Sequence, residues 1–234
     1  MESINAVVTG GTKGIGLAIC RHFAAAGYHL VTCSRHARDL ESLQKELGAY
    51  KVQIRTFEAD LSEQNQLENF ADYVLGGWNH IDILVNNAGI FIPGSVLSEE
   101  EGHQDEMMRT NLHSAYYLCR KLVPIMLEKR KGHIFNICSI ASIIAYPNGG
   151  SYSISKFALL GFTKVLREEL KDKGIKVTAV LPGATWSDSW TGVDLLESRL
   201  MQADDIASSV INAFQMSPAA VVEEIILRPQ LGDL

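Results

Sequence analysis

The amino-acid sequence predicts an α/β fold, a single-domain Rossmann-type doubly wound parallel sheet of about seven strands with helices on both faces. Three observations predict it. Short β-branched segments alternate with longer amphipathic ones, the strand-like segments are apolar throughout, and no linker, repeat or low-complexity tract divides the chain. We therefore expect residues 1–234 to form one domain, with a short lid over the substrate near residues 184–204.

The predicted elements alternate along the whole chain. The predicted strands are residues 6–9, 29–33, 52–58, 83–85, 133–138, 176–181 and 221–227. The predicted helices are near residues 14–27, 37–48, 62–76, 104–130, 152–172 and 203–215. Such a sheet binds ligands in the loops that follow the carboxyl ends of its strands, so we expect the functional residues in those loops.

Composition and charge argue against several classes of protein. Hydrophobic residues make up 47% and charged residues 21% of the chain, which is ordinary for a globular protein. The formal charge of −6 argues against a nucleic-acid or anionic-membrane partner. Four widely spaced cysteines and seven scattered histidines give no metal-ligand spacing, so we expect no metal. The N-terminal segment has no signal-peptide pattern and the apolar runs are too short to span a bilayer, so we expect a cytoplasmic protein.

A glycine-rich turn follows the first predicted strand, where residues 9–16 read TGGTKGIG before an apolar helix. Glycine lets backbone N–H groups approach a phosphate closely, and the helix N-terminus favours its negative charge. The spacing GxxxGxG differs from the standard GxGxxG fingerprint, and glycine-rich turns also serve helix packing, so both interpretations stay open at this point. The loop residues that we expect to contact a dinucleotide are Gly10, Thr12, Lys13, Gly14, Ile15 and Gly16.

The end of the second predicted strand indicates which dinucleotide is used. An acidic residue there binds the ribose 2′-hydroxyl of NAD, whereas an arginine accommodates the 2′-phosphate of NADP. Here the strand ends at Ser34 and Arg35 without a carboxylate, and Lys13 in the glycine loop can reach the same phosphate. These features predict NADP(H) as the cofactor. The alternative is that both cations are solvated surface charges.

A serine, a tyrosine and a lysine are the candidate catalytic residues. Ser139 follows the fifth predicted strand, Tyr152 comes thirteen residues later in a helical segment, and Lys156 lies one turn further on the same face. A free tyrosine has a pKa of about 10, and we expect the ammonium together with an oxidised nicotinamide to lower that pKa. Ser139 would hydrogen-bond the substrate oxygen. A YxxxK pattern alone is common on helix surfaces, and its position after a strand-ending serine is what favours catalysis.

With these motifs at these spacings the chain resembles the short-chain dehydrogenase/reductase family over essentially its whole length. The family's glycine motif corresponds to residues 9–16, its Asn-Asn-Ala-Gly motif to residues 86–89, and its Pro-Gly turn to residues 182–183. The catalytic residues that the resemblance implies are Asn111, Ser139, Tyr152 and Lys156. The further cofactor contacts that it implies are Asp60, Leu61, Asn87, Ala88, Gly89, Tyr152, Lys156, Pro182, Gly183 and Thr185.

The resemblance also implies individual roles. Tyr152 would be the general acid/base, and Asn111 would hold a water in a proton relay through Lys156, which would also bind the nicotinamide ribose. Members of the family often carry Val and then Thr at the second and fourth positions after the Pro-Gly turn, where this chain has Thr185 and Ser187. Either hydroxyl could bind the nicotinamide carboxamide, so that assignment stays open.

The activity that the resemblance implies is reduction of a carbonyl, or oxidation of the alcohol, in a small or acyl-type substrate, free or carrier-bound, as in the 3-oxoacyl-carrier-protein reductases of the family. One alternative is a reductase of the sepiapterin or small-ketone type. Another is a non-catalytic NADP-binding regulator, against which the complete catalytic set argues. The family commonly forms homodimers or homotetramers through two long central helices, here residues 104–130 and 152–172, and we expect the same of this chain.

Two groups of surface residues have two interpretations each. Apolar side chains on loops near the substrate indicate either an apolar cleft or simple loop packing, and they are Phe91, Ile143, Ile144, Trp186 and Trp190. Basic side chains at helix ends either complement the helix macrodipole or dock an acidic carrier protein, and they are Lys129, Arg130, Lys131, Lys171 and Lys173.

Overall fold

The computed structural model describes residues 3–186 and 197–232, and this part of the chain contains one parallel sheet. Its strands are β1 (Asn5–Thr9), β2 (His29–Ser34), β3 (Ile54–Glu58), β4 (Ile83–Asn86), β5 (Gly132–Ile137), β6 (Ile175–Pro182) and β7 (Glu224–Leu227). They lie in the order β3-β2-β1-β4-β5-β6-β7, and every neighbouring pair is parallel. The predicted sheet of about seven parallel strands is confirmed.

Helices connect the strands. They are α1 (Gly14–Ala25), α2 (Ala37–Leu47), α3 (Gln64–Leu75), α4 (His103–Met108), α5 (Ser114–Lys129), α6 (Gly150–Leu170) and α7 (Ala203–Phe214). A π-turn, Arg109–His113, joins α4 to α5, and short 3₁₀ turns lie at Ile140–Ser142 and Glu197–Arg199. Among these described helices none is both long and apolar enough to cross a membrane.

The boundaries differ from the sequence prediction at a few places. β3 begins at Ile54 and β7 at Glu224, so the apolar residues just before each strand lie outside the ladder. The predicted helix 104–130 is interrupted by the π-turn, which adds one residue to a helical turn and is frequent at functional sites. Asn111 lies in this π-turn and is buried.

Helical layers cover both faces of the sheet because alternate strand residues point in opposite directions. In β1, Ala6 and Val8 pack in one apolar cluster with residues of α1 and α7. Val7 packs in another cluster with residues of α3 and α5. All residues of β1 and β4 are buried, which explains why residues 6–8 and 83–85 are apolar. The doubly wound arrangement is therefore confirmed.

The strand order reverses between β1 and β4 at the centre of the sheet. From β1 the chain continues outward to β2, whereas from β4 it continues to β5 on the other side. Ligands of doubly wound sheets bind in the crevice at such a switch point, beyond the carboxyl ends of the strands. The loops that follow β1, β4 and β5 meet there, and these loops carry the glycine turn, residues 86–89 and Ser139.

Candidate active site

The turn after β1 depends on glycine at two positions for two different reasons. Gly10 has a φ of +63°, in the left-handed region that side chains other than glycine rarely adopt. Gly16 lies in the first turn of α1, and a Cβ there would come within 2.3 Å of the Gly10 carbonyl oxygen. The turn is thus folded tightly onto the helix, which leaves its outer side open to a ligand.

The N-terminus of α1 suits an anion. Lys13 precedes the helix in an extended conformation and its side chain makes no capping hydrogen bond. The first N–H groups of a helix have no partner within it and carry the positive end of the macrodipole. Glycine on one side and unpaired N–H groups on the other form the cradle that a pyrophosphate requires, so the residues present fit a dinucleotide.

Asn87 joins the loops after β1 and β4. Its Nδ2 donates hydrogen bonds to the carbonyl oxygens of Thr9 at 2.9 Å and of Gly10 at 3.1 Å. In return the Thr9 hydroxyl oxygen accepts hydrogen bonds from the backbone N–H groups of Asn87 and Ala88, each at 2.9 Å. Asn86 points the other way and donates to the Asn136 side chain at 2.7 Å inside the protein. In the Asn-Asn-Ala-Gly motif the two asparagines therefore brace the two sides of the same loop.

The end of β2 brings together the residues expected to select the cofactor. The Thr12 hydroxyl donates to the Ser34 hydroxyl at 3.2 Å, which joins the glycine turn to the end of β2. Arg35 is exposed beside them. Lys13 forms an ion pair with Asp39 in the first turn of α2, with its Nζ 3.4 Å from Asp39 Oδ2. The sequence prediction missed Asp39, because the contact depends on the fold of the turn between β2 and α2.

The turn after β3 is built by Asp60. Its Oδ1 accepts hydrogen bonds from the Ser62 N–H at 2.9 Å and the Ser62 hydroxyl at 2.7 Å. Leu61 is buried and packs with the cluster on the α3 side of the sheet. The structure therefore gives both residues a part in shaping this turn, which lies at the carboxyl edge of the sheet.

Ser139, Tyr152 and Lys156 are brought together beyond the end of β5. Ser139 lies next to Tyr152 and acts to lower the pKa of its phenol, and the Ser139 hydroxyl oxygen accepts from the Ala141 N–H at 3.1 Å. Lys156 Nζ donates to the carbonyl oxygen of Ile137 at 2.9 Å and lies 5.8 Å from the centroid of the Tyr152 ring. A Cβ on Gly89 would lie 3.5 Å from that Nζ, so the loop after β4 passes directly over the lysine. The three residues predicted from the sequence form one cluster.

Burial changes the acidity of both the tyrosine and the lysine. Burial raises the pKa of Tyr152 above its ordinary value, and the neighbouring Ser139 acts in the opposite direction. Burial lowers the pKa of Lys156 to about 8. The sequence prediction that the ammonium together with an oxidised nicotinamide lowers this pKa concerns the cofactor complex and stays a prediction, and in the protein alone the loss of water around the phenol is the larger influence. A buried phenol that keeps its proton is a proton donor at neutral pH.

Asn111 holds a loop and a helix with its side chain. Its Oδ1 accepts from the Ile90 N–H at 2.7 Å, and its Nδ2 donates to the Ile90 carbonyl oxygen at 3.0 Å and to the Ser155 hydroxyl at 2.9 Å. The amide is thereby fully engaged with the loop after β4 and with α6. The water-holding role implied by the family resemblance stays a prediction.

Partly exposed apolar side chains lie on the loops that follow β4 and β5. The edge of Phe91 packs against Tyr152, with ring centroids 4.9 Å apart and an interplanar angle of 77°. Ile143, Ile144 and Tyr146 are between 40% and 42% exposed on the loop after β5. Tyr146 was not singled out from the sequence, and burial raises its pKa to about 12, with a further contribution from Tyr152.

The predicted lid is described only at its two ends. The Trp186 N–H donates to the Met201 carbonyl oxygen at 2.8 Å, and the Met201 N–H donates to the Ala184 carbonyl oxygen at 3.1 Å. Thr185 is buried, and its hydroxyl donates to the Gly183 carbonyl oxygen at 3.0 Å. Ser187 and Trp190 lie outside the described residues. The choice between Thr185 and Ser187 for the carboxamide therefore stays open.

The carboxyl end of β6, which leads into the predicted lid, is joined to β7. Pro182 ends β6 beside Leu227 of β7, and the Gly183 N–H donates to the Leu227 carbonyl oxygen at 2.7 Å. The turn that leads to Thr185 is therefore fixed to the sheet.

The basic helix ends lie at the other edge of the sheet. Residues 129–131 follow the C-terminus of α5, and Lys171 follows that of α6, whereas Tyr152 is at the N-terminal end of α6. Arg130 donates to the Asp172 carbonyl oxygen at 2.9 Å, and Lys171 pairs with Glu168. These contacts agree with the interpretation that the cations complement helix ends.

Two further features of the described residues bear on the site. Within residues 3–186 and 197–232 no group of three His, Cys, Asp or Glu side chains is arranged to hold a metal ion. A groove of about 650 Å³ lies at the C-terminal ends of α3 and α5, lined by Trp78, Ile125 and Glu128 among others. It contains none of the predicted site residues. Concavity alone therefore does not identify the candidate site, and the chemistry of the loops does.

Comparison with known proteins shows the family to which this chain is similar. The family described as short chain dehydrogenase matches residues 5–195. Sepiapterin reductase of Chlorobaculum tepidum is 36% identical over 236 residues, which are 97% of this chain and 97% of that protein. The 3-oxoacyl-[acyl-carrier-protein] reductase of Staphylococcus epidermidis is 31% identical over 201 residues, which are 85% of this chain and 82% of that protein.

Solved structures show the same fold. A metagenomic short-chain oxidoreductase in complex with NADP has a TM-score of 0.85 and 30% identity, with 97% of each chain covered. An alcohol dehydrogenase from the archaeon Thermococcus sibiricus, complexed with 5-hydroxy-NADP, has a TM-score of 0.90 and 26% identity, with 98% of this chain and 97% of that one covered.

Proposed function

This chain belongs to the short chain dehydrogenase family, and from that premise we propose that it is an NADPH-dependent reductase of a small carbonyl compound that reaches the site by free diffusion. The observation that carries the proposal is the cluster of Ser139, Tyr152 and Lys156 beyond the end of β5, with the glycine cradle at the same edge of the sheet. Oxidation of the corresponding alcohol is the same reaction in reverse.

The residues around the switch point would hold NADP(H). The glycine turn and the N-terminus of α1 would bind the pyrophosphate, and Lys13, Ser34 and Arg35 would meet the 2′-phosphate. Asp60 and Leu61 would lie at the adenine, residues 87–89 along the nucleotide, and residues 182–185 at the carboxamide. The NADP complex of the metagenomic relative supports the choice of cofactor. When bound, the reduced cofactor supplies the hydride.

Tyr152 would give its proton to the carbonyl oxygen as that oxygen gains negative charge. Its raised pKa keeps the phenol protonated at neutral pH, so the donor is ready before reduction. Ser139 would hydrogen-bond the same oxygen and fix its position. Lys156, whose pKa of about 8 leaves it mostly cationic at pH 7, would stabilise the phenolate that remains. Such proton transfer typically contributes about 10²–10⁴ to the rate.

The walls of the cleft favour an uncharged substrate. Phe91, Ile143, Ile144 and Tyr146 present partly exposed apolar surface around Tyr152. The basic helix ends that could have docked an acidic carrier lie at the opposite edge of the sheet. These positions favour a free ketone of the sepiapterin-reductase type, in line with the 36% identity to that enzyme over nearly the whole chain.

A 3-oxoacyl thioester is the second candidate substrate. The adjacent side chains of Ile143 and Ile144, 41% and 42% exposed, give the cleft an aliphatic wall that suits an acyl chain. The 31% identity to a 3-oxoacyl-carrier-protein reductase agrees with this candidate. A comparison of kcat/KM for diketones, pterin ketones and 3-oxoacyl thioesters separates the two.

A second copy of the chain would cover an exposed apolar face of the central helices. Ile154, Phe157 and Val165 of α6 are 45–57% exposed, and Tyr116 and Tyr117 of α5 are 37–38% exposed beside them. These α6 positions recur at helical spacing around Gly161, whose missing side chain keeps the face flat. We infer a homodimer or homotetramer through this face, which analytical ultracentrifugation tests.

We also infer a cytoplasmic location, which agrees with four buried free thiols.

The change Tyr152→Phe tests the proposed mechanism. It removes the proposed proton donor and little volume, so kcat should fall about 10²–10⁴-fold while NADPH affinity and the circular-dichroism spectrum stay close to wild type. The control is Tyr50→Phe, at an exposed tyrosine far along the chain from the site, which should leave the rate unchanged. A Tyr152→Phe enzyme with the wild-type kcat on its best ketone would show that another group donates the proton.

A further inference from the structure

The helix that carries Tyr152 and Lys156 receives its N-terminal cap from a distant loop. Gly149 precedes α6 and offers no side chain, so the first N–H groups need an acceptor from elsewhere. Glu99, 52 residues earlier, supplies it: Glu99 Oε2 accepts from the Ser151 N–H at 3.4 Å, and Glu99 Oε1 accepts from the Ser151 hydroxyl. A carboxylate at this end of a helix also interacts favourably with the macrodipole. Ser151 is 1% exposed and directly precedes Tyr152.

Backbone contacts hold the loop that carries Glu99 close to the start of α6. The Gly94 N–H donates to the Asn148 carbonyl oxygen at 3.0 Å. A Cβ on Gly150 would come within 2.5 Å of the Gly94 carbonyl oxygen and 3.0 Å of Glu99 Oε2. A Cβ on Gly94 would come within 2.8 Å of the Glu99 Cβ. Two glycines therefore allow an approach that brings the Glu99 carboxylate onto the first turn of α6.

The other end of this loop is held by Asn111 through its two hydrogen bonds to Ile90. Between the two attachments lies Phe91, whose ring packs edge-on against the ring of Tyr152. Residues 90–99 thus form a strap, fixed by Asn111 at one end and by Glu99 at the other, with the Tyr152 ring beneath it. The Glu99 side chain is half-buried, and its polar contacts are with Ser151, the residue that precedes Tyr152.

We propose that Glu99 is a positioning residue, which sets the placement of Tyr152 by fixing Ser151 and the strap to the start of α6. The proposal rests on the proposed role of Tyr152 in proton transfer. A misplacement of about 1 Å at a reacting group can cost about 10²-fold in rate. Loss of the carboxylate should therefore lower kcat while the glycine cradle, which Glu99 does not touch, keeps its affinity for NADPH.

Four variants test the proposal in the full-length enzyme. We expect Glu99→Ala to lower kcat about 10–100-fold with NADPH affinity within about twofold of wild type. Glu99→Gln keeps an acceptor oxygen and should recover part of that rate. Ser151→Ala removes the hydroxyl and keeps the N–H, and should lower kcat severalfold. The matched control is Glu101→Ala, an exposed carboxylate two residues beyond the strap, which should change nothing.

The Tyr152→Phe background distinguishes positioning from general damage. If Glu99 acts through the tyrosine hydroxyl, Glu99→Ala should change the residual rate of Tyr152→Phe by less than about threefold. An equal loss in both backgrounds, or a wild-type kcat in Glu99→Ala, would overturn the proposal. If Glu99→Ala does not fold, wild-type rates in both Glu99→Gln and Ser151→Ala would overturn it. A fully active Tyr152→Phe enzyme contradicts the proposed mechanism itself, whereas an inactive one with unimpaired Glu99 variants contradicts only the role of Glu99.

Discussion

The two edges of the sheet use buried polar residues in different ways, and β5 shows the difference within one strand. Just past its carboxyl end, Ser139 lies next to Tyr152, and the loop that follows carries the partly exposed Ile143. Near its amino end, His133 is 1% exposed, stacks on Phe135 with ring centroids 3.9 Å apart, and bonds through Nε2 to the Thr178 hydroxyl at 2.7 Å. The first group lies next to the proposed reacting hydroxyl and near partly exposed loop residues, whereas the second is enclosed by the protein.

This difference teaches how to separate catalytic from structural polar residues. At the carboxyl edge Thr9, Asn87 and Asn111 bond to residues of other loops. At the amino edge the polar groups bond to one another. Asp82, for example, accepts from the Asn5 N–H at 2.9 Å and pairs with His80. We therefore expect substitutions at the carboxyl edge to change rate and affinity, and substitutions at the amino edge to change stability.

Lys156→Ala should have the largest effect of the changes considered next, because it removes a charge and a hydrogen-bond donor at the carboxyl edge. We expect a loss of at least about 10² in kcat and weaker NADPH binding, since the phenolate and the ribose both lose a partner. Burial lowers the pKa of Lys156 to about 8, so the wild-type rate should fall as pH rises above about 8 and the ammonium loses its proton. Stopped-flow measurements across this pH range give both kcat and the affinity for NADPH.

The control for that change is Lys45→Ala, which removes an exposed lysine of α2. It should alter neither affinity nor the pH–rate profile. If Lys156→Ala showed unaltered NADPH affinity together with an unaltered pH–rate profile, Lys156 would not have the proposed role.

Cofactor preference should change next most strongly. The double change Ser34→Asp and Arg35→Ala replaces a cation by a carboxylate that can accept the ribose hydroxyls of NADH. Hydrogen bonds to charged groups contribute about 1.5–3 kcal/mol each, so the preference for NADPH should fall by roughly 10²-fold. Lys13 is 59% exposed and paired with Asp39, so it should retain only a small, salt-sensitive share of the preference.

Values of kcat/KM for both cofactors, at low and high salt, check this expectation. Lys51→Ala, at an exposed lysine before β3, serves as the control. A wild-type enzyme that prefers NADH, or a double variant with unchanged preference, would mean that Arg35 points elsewhere.

The sequence was sufficient for those features of the fold and site that depend on local patterns. Short apolar strands and the glycine turn predict the parallel sheet, because these signals lie within a few neighbouring residues. Ser139, Tyr152 and Lys156 could be predicted because one sits at a strand end and two share a helix face. The structure confirms that these three lie together, and their catalytic roles stay predictions.

Other features depend on contacts between distant parts of the chain, and spacing does not reveal them. Glu99 meets Ser151 across 52 residues, and no local pattern marks that contact. The π-turn that holds Asn111 interrupts a stretch whose periodicity reads as one helix. The direction of the Tyr152 pKa depends on how much water the fold removes, which the sequence does not give. Long-range packing, rather than local sequence propensity, determines the Glu99 contact, the π-turn and the direction of the Tyr152 pKa.

His133 offers a stability test of the amino edge. The Thr178 hydroxyl donates to the Val222 carbonyl oxygen at 2.6 Å, so it must accept from His133 Nε2–H, and the ring is neutral. His133 Nδ1 has no hydrogen-bond partner among the described residues. Burial lowers the pKa of His133 to about 3, against about 6.5 in an unfolded chain. Between these values the unfolded state binds the extra proton, so stability is fully present above about pH 6.5 and falls as pH falls, by up to about 1.4 kcal/mol per unit.

We therefore expect His133→Gln to reduce stability at pH 7.5 but to flatten its decline between pH 6.5 and 5, as measured by urea unfolding. His36→Gln, at an exposed histidine, should leave the slope unchanged, and the carboxylates common to all three proteins cancel in the comparison. Equal slopes in wild type and His133→Gln would assign the acid sensitivity to other groups. The rate of ketone reduction at pH 7.5 should be the same in all three.

The smallest effect is expected from the basic helix ends, and it decides between a free and a carrier-bound substrate. Lys171 follows the end of α6, and 19 residues of helix at about 1.5 Å each place it roughly 28 Å from Tyr152. Exposed charges are screened over about 8 Å at physiological salt, so Lys171→Glu with Lys173→Glu should change kcat/KM for a free ketone by less than about twofold. A 3-oxoacyl group on an acidic carrier protein should show the same insensitivity if the carrier does not dock there. Arg35→Glu, a charge reversal at the other edge, is the positive control because Arg35 is proposed to meet the 2′-phosphate of the cofactor. A loss of more than about fivefold with the carrier-bound substrate alone would mean that the helix ends dock a carrier, and the proposal of a freely diffusing substrate would then be wrong.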